Sequence, residues 1–259
     1  MNKIFAIAGV VVKELFRRKD FYVLFIITVL LSVLMAGVNI FNEPRIARYV
    51  KELCLLLIWL SSLVIAITTA ARQIPSEKEQ RTLFPLLAKP IRRSQVLIGK
   101  FLGCWLACGG TLVCFYLFFG VLSSMREGQW PVLNYFQAMV LHWFMLGIVT
   151  AITILGSILF SAPSSNITIC FAFVSGVLFL GRHLNKIALQ MSEPSQSIVY
   201  SIYYLIPHLE LFDVRDLIIH NWPLISWPVW AAALVYAIAF TALFIWLGCL
   251  RFKRMAVNR

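Results

Sequence analysis

The chain has 259 residues, 61% of them apolar and only 13% charged, with a mean hydropathy of +0.85. A water-soluble domain carries about 25% charged residues, and a disordered one is poor in apolar residues, so both classes are excluded. The formal charge of +12 would point to nucleic acid in a soluble protein; here its position along the chain decides what it means.

Residues 1–20 open the chain with an apolar stripe of Ile4, Ala8, Val11, Val12, Leu15 and Phe16, leaving Lys3, Lys13, Glu14, Arg17 and Arg18 on other faces. That pattern predicts a helix lying in the headgroup region, with packing against another subunit as the alternative. The charged "KELFRRKD" stands where a signal peptide would need small residues for cleavage. A helix crossing the hydrocarbon core needs about 20 mostly apolar residues. Six stretches are read as spans: 21–41, 53–71, 101–122, 132–160, 161–181 and 229–250. The fifth begins on the polar "SAPSSN" and so has a polar entry. The runs are continuous rather than alternating, and too long for barrel strands. The expected fold is therefore an all-α polytopic membrane protein forming a single transmembrane domain over 1–259. Between the last two spans, 182–222 forms an outer segment whose "SIVYSIYYLI" is too short to cross and reads as a re-entrant or interfacial helix.

Charge sets the expected orientation. With the amino terminus inside, sixteen of the 23 Lys and Arg residues fall on the cytoplasmic side and seven outside, as positive-inside orientation requires. The seven outer cations are matched by seven outer acids, so the whole +12 sits on the cytoplasmic face. Both termini are expected there, in a bacterial inner membrane. Nucleic acid is not needed to explain the charge; anionic membrane lipid is the expected surface partner.

Several chemistries are missing. The middles of the spans contain no Asp, Glu, Lys or Arg, which argues against a proton-driven carrier. His142, in "LHWFM", is the one titratable candidate there, and a hydrogen bond to a neighbouring helix accounts for it. No G-x-x-x-x-G-K-[ST] loop, G-x-S-x-G elbow or H-E-x-x-H helix occurs, so no catalytic residue, metal site or cofactor is assigned to this chain. All six cysteines fall inside proposed spans. Cys104 and Cys108 share an i, i+4 spacing that could ligate a soft metal, but small apolar packing is the commoner use.

The richest stretch is 72–100, "RQIPSEKEQRTLFPLLAKPIRRSQVLIGK". Ser76 is expected to cap a short helix with Glu79 three residues on, and Pro85 and Pro90 limit its run. Leu83, Leu86 and Leu87 with interleaved charges suit a segment gripped by a soluble partner. The plainer alternative is a solvated loop that satisfies the charge rule.

In order, "EKEQRTL", "LLAKPIRR" and "VLIGKFLG" resemble the cytoplasmic signature of type-2 ABC transporter permeases, with Arg81 standing where glycine is usual. The later "PHLELFDVRD" is similar to a sequence in the subgroup near the permease of the nitrous-oxide-reductase maturation system. The resemblance implies a transport subunit without its own ATPase, expected to be an exporter, working with a cytosolic ABC ATPase that binds ATP and Mg. It implies a coupling helix over Glu77–Arg93, with Glu77, Glu79, Arg81, Arg92 and Arg93 as charged contacts and Thr82, Leu83 and Leu86 packing. A second permease copy, identical or not, would complete the path. Trp59, Ser61, Ser62, Thr68 and Thr69 of the second span and Asn166, Thr168 and Ser175 of the fifth become candidates for lining it, against the packing role that Ser and Thr ordinarily take between membrane helices. A partner at the outer face is allowed for. The rival reading is a non-transporting scaffold that anchors a partner complex.

Overall fold

A computed structural model describes residues 3–16, 22, 26, 29–30, 33, 44–79, 92–127 and 131–254. The expected first span, 21–41, lies almost wholly outside the described residues, as does 80–91 of the coupling segment. Among the described residues there are helices and no strands. In chain order they are α1 (Lys3–Phe16), α2 (Pro44–Ala71), α3 (Pro75–Glu79), α4 (Arg93–Glu127), α5 (Val132–Leu159), α6 (Pro163–Ala188), α7 (Ser195–Leu205), a 3-10 turn (Leu209–Phe212), α8 (Arg215–Ile219) and α9 (Trp227–Arg254). Among the described residues, five helical stretches are long and apolar enough to cross a membrane: Lys51–Glu79, Arg93–Val121, Val132–Leu159, Pro163–Gly181 and Trp227–Arg254.

The central helix is α5. It packs against α2, α4, α6 and α9 and takes part in both hydrophobic cores. One core gathers Leu55, Ile58, Leu112, Phe115, Leu141 and Phe212; the other, toward the chain termini, gathers Val11, Ile74, Leu97, Phe101, Ile154 and Phe252. Lipid offers helices no hydrophobic gain on association, so close packing has to come from small residues and polar contacts. The α4–α5 seam shows both. Trp105 Nε1 donates to Trp143 O at 3.0 Å, Trp143 Nε1 donates to Trp105 O at 3.0 Å, and the rings stack at 4.8 Å. Each indole lies over a glycine of the opposite helix: a Cβ on Gly147 would stand 3.1 Å from Trp105 Nε1, and one on Gly109 would collide with the Trp143 ring. The motif is W-x-x-x-G on both helices.

The amino-terminal helix is seated by another small-residue pair. A Cβ on Gly103 would sit 2.6 Å from Val11 Cβ and 2.9 Å from Ala8 O, and one on Gly99 2.9 Å from Ile7 Cβ. Thus α1 packs on α4 of its own chain, burying Ala8 and Val11 and leaving Phe5 and Val10 exposed. At Ala8 and Val11 the apolar stripe read from the sequence is therefore spent on the chain's own α4.

At the opposite end, the 3-10 turn packs on α5 and α6 while α8 packs on α2 and α5, and together they form a plug. Its own Leu209, Phe212, Leu217 and Ile218 are the buried side chains of that plug. Gln137 clips the chain that follows: its Nε2 donates to Ile225 O and its Oε1 accepts from Ile225 N, both at 3.0 Å. Asn134 Nδ2 donates to Trp222 O at 2.8 Å. The short α7 packs beside α6.

Candidate functional site

The coupling segment starts as a continuation of α2. After a turn at 72–74, Pro75 occupies the first position of α3, where its missing N–H costs nothing and its fixed φ suits a helix. Ser76 is therefore inside the helix rather than capping it: its Oγ donates to Arg72 O at 2.6 Å and its N–H to the same oxygen at 3.1 Å. The expected cap fails because the helical path carries on through Arg72 instead of beginning afresh.

A buried cation holds this junction. Lys100 of α4, only 3% exposed, pairs through Nζ with Glu77 Oε1 at 2.7 Å and donates to Gln73 O at 2.9 Å. A charge removed from water survives where carboxylate and carbonyl replace its hydration. Glu77 is thus engaged within the chain, whereas Glu79 is exposed. Arg92 N donates to Gln95 Oε1 at 3.1 Å, a side chain reaching back to the helix start. Arg93 Nη1 donates to Phe252 O at 3.1 Å and Lys253 O at 3.4 Å, a cation on the negative end of the α9 dipole. Arg92 is exposed. Arg81, Thr82, Leu83 and Leu86 lie outside the described residues.

A residue-recognition reading alone would pass over Lys100 and Gln73. The signal was present: a lysine with apolar residues on both sides in "VLIGKFLG" must find a partner when its helix enters the membrane.

Further along the bundle a second polar cluster joins α2, α4 and α5. Ser62 Oγ donates to Trp59 O at 2.9 Å and pairs with His142 Nε2 at 2.9 Å, while Tyr116 Oη lies 3.3 Å from His142 Nδ1. One hydroxyl has one hydrogen, and Ser62 spends it on Trp59; Nε2–H then donates to Ser62 and Nδ1 accepts from Tyr116. The hydrogen bond expected of His142 goes to two neighbouring helices. Above it, Arg215 is held by Asp213 at 2.7 and 3.0 Å and sits 5.3 Å from the centre of the Trp59 ring. Burial works to lower the Arg215 pKa, but the hydrogen bonds to Asp213 and the charges of Asp213 and Asp216 outweigh it and leave it raised. The guanidinium is permanently charged, so this latch does not depend on pH through it. Lys51, expected outside the second span, is buried in α2 and donates to Ile218 O at 3.4 Å.

A family model described as ABC-2 family transporter protein matches residues 6–257. The chain belongs to the ABC-2 transporter family. It is a multi-pass membrane protein and the permease subunit of an ABC transporter, and membership implies a partner ABC ATPase. No curated protein matches the sequence.

Within this ABC-2 fold the path-lining candidates divide. Trp59, Ser62, Thr69 and Asn166 are buried among the chain's own helices. Thr69 Oγ1 donates to Ile65 O at 2.6 Å and Thr68 Oγ1 to Val64 O at 2.7 Å, each to its own helix. Ser61, Thr68 and Ser175 are half-buried, and Thr168 is exposed, with its hydroxyl donated to Ser164 O at 3.1 Å. Asn166 is the most connected: Nδ2 donates to Thr153 O at 3.1 Å and Ala71 O at 3.4 Å, and Oδ1 accepts from Cys170 Sγ at 3.3 Å. It pins α6 to the ends of α2 and α5, and a Cβ on Gly156 would collide with its Oδ1. Asn166, the last residue of the polar entry to the fifth span, therefore packs helices together. Cys104 and Cys108 are both buried in packing positions, and no group of three or more metal-ligating side chains stands together among the described residues.

Proposed function

We propose that this ABC-2 permease is one of two copies in a bacterial inner-membrane exporter, with both termini in the cytoplasm and with ATP and Mg bound by a separate cytosolic ATPase. The observation that carries the reading is the Lys100–Glu77–Gln73 junction. It fastens α3 to the root of α4 while the backbone continues α3 into α2, so a push on the segment from Glu77 to Arg93 moves two spans together. Glu79 and Arg92, exposed at that end, supply charged contacts with the ATPase, and Arg81, Thr82, Leu83 and Leu86 complete the docking surface between them. Arg93 carries the same displacement to α9. Nucleotide-driven closure of the ATPase would then rock α2, α4 and α9 around α5.

The basic end supports the orientation: Arg93 meets the last turn of α9, with Arg251, Lys253 and Arg254, at the end where α1 packs. The similarity of "PHLELFDVRD" supports a place near the nitrous-oxide-reductase maturation permeases. The second copy is expected against the open faces of α2 and α6, where Leu60, Thr168, Ile169 and Phe173 are exposed. A face so poor in charge favours an apolar or lipid-linked cargo. Co-purification with the ATPase tests the assignment. Glu79→Ala with Arg81→Ala should leave the chain folded and abolish stimulation of ATP hydrolysis; unchanged docking and hydrolysis would remove the coupling role. Unaltered cargo distribution on deletion, with a partner mislocalised, would favour the scaffold instead.

A further inference from the structure

Between α4 and α9 lies a groove of about 570 Å³, floored by Phe101, Trp105, Phe144 and Ile245 and closed at one end by Ser94 and Lys253. We infer that it is a binding site for one acyl chain and the phosphate of an anionic glycerophospholipid, in the leaflet on the side of the chain termini.

Length comes first. On α4 the lining runs from Ser94 to Trp105, and on α9 from Lys253 back to Ile238; at 1.5 Å per residue these spans are about 17 and 22 Å. Half a hydrocarbon core is about 15 Å, so the groove is as long as one leaflet and its headgroup layer, and does not pass through the membrane. The α9 positions Ile238, Ala242, Ile245 and Cys249 form one helical stripe, and the floor is the indole clasp between α4 and α5. The volume falls in the range of small-ligand sites.

Charge chooses the headgroup. The last turn of α9 carries Arg251, Lys253 and Arg254, all exposed, and none of the three forms an ion pair among the described residues. Lys253 lines the groove itself, and Arg93 is held beside it through Phe252 O and Lys253 O. An apolar slot ending in cations at headgroup depth matches an acyl chain ending in a phosphate. A second copy of this chain seated there about a two-fold axis would bring the same basic turn against itself, and like charges oppose that contact.

The test uses the full chain purified from mixed vesicles of phosphatidylglycerol and phosphatidylcholine with identical acyl chains, and native mass spectrometry of the lipid retained. Wild type should retain phosphatidylglycerol preferentially at one lipid per chain. Lys253→Gln should lower that preference about fivefold, the effect of one cation at a membrane surface. Ala242 is exposed, so Ala242→Leu should be tolerated by the fold while displacing both lipids; an unchanged thermal midpoint in lipid-free detergent checks that tolerance. Equal retention of the two lipids by wild type would overturn the inference, as would retention unaltered in both variants. Loss of a chain–chain contact in Ala242→Leu would assign the groove to a second copy instead. Failure of the ATPase-docking experiments would leave this result untouched, because neither Glu79 nor Arg81, the residues changed there, lines the groove.

Discussion

At the scale of single residues, the polar groups inside this bundle act as pins, and two of them make sharp predictions. Lys100 is almost fully buried against Glu77 and Gln73. Lys100→Met strands the Glu77 carboxylate at a site that was built around a cation, and loss of a charged hydrogen bond of this kind costs about 2 kcal/mol. The thermal midpoint of the purified permease should fall, and ATP hydrolysis by the docked ATPase should proceed without transport; Lys100→Arg should recover part of both. A midpoint equal to wild type in Lys100→Met would show that the pair contributes nothing. Asn166 gives a cleaner case, since Gly156 leaves room for its Oδ1. Gly156→Ala should destabilise by about 1–3 kcal/mol through overpacking. Asn166→Ala alone should also destabilise, by loss of the bonds to Ala71 O and Thr153 O. The double variant should be less damaged than the sum, because the clash vanishes with the amide. Strict additivity in that cycle would mean that the two side chains do not meet.

At the scale of elements, glycine spacing decides which helices touch. Gly99 and Gly103 seat α1, and Gly109 and Gly147 admit the paired indoles. Gly103→Val should expel α1 from α4, since a Cβ there already overlaps Val11. Maleimide labelling of Ala8→Cys, buried in the native chain, should rise in the Gly103→Val background; labelling that stays low would show α1 held by something else. The five spans among the described residues were readable in the sequence because about 20 apolar residues in a row leave few other structures. The location of α1 was not, although its seat was in plain view: "GKFLG" reads as a family signature and as small-x-x-x-small packing, and only coordinates say which helix fills the gap. The Ser76 cap misled for a similar reason. A capping box is a local pattern, and it cannot register that Arg72 and Ile74 already offer Ser76 and Lys78 a helical path. Of the charges read as candidate ATPase contacts, Glu77 and Arg93 bind this chain's own groups, because pairing partners 23 and 159 residues away are invisible to a local reading.

At the scale of the whole molecule, the two ends of the bundle are built for different tasks. One end gathers the basic turn of α9, the α3 junction and α1, and is stiffened by charge. The other is covered by the 3-10 turn and α8, held through Asp213–Arg215 under Trp59, through the backbone N–H of His208 donating to Tyr236 Oη at 2.9 Å, and through the Gln137 clip. α5 joins them, contributing Gln137 to the covered end and Thr153 to the pinned one. In the proposed mechanism a rocking motion driven from the α3 end reaches the covered end through α5, where Gln137 holds the chain at Ile225. Its two bonds to Ile225 engage an amide with no exposure, so Gln137→Leu forfeits about 2 kcal/mol. That loss raises the population of the uncovered state about 30-fold while leaving the apolar packing of α5 intact. Ile218→Cys, at a buried position of α8 itself, reports on it: a membrane-impermeant thiol reagent should modify this cysteine far faster in the Gln137→Leu background than beside native Gln137, without ATP. In the native background the same acceleration should require the ATPase and ATP. If Gln137→Leu leaves the labelling rate unchanged, the cover is fixed independently of α5, and motion at the α3 end has no route to it through this helix.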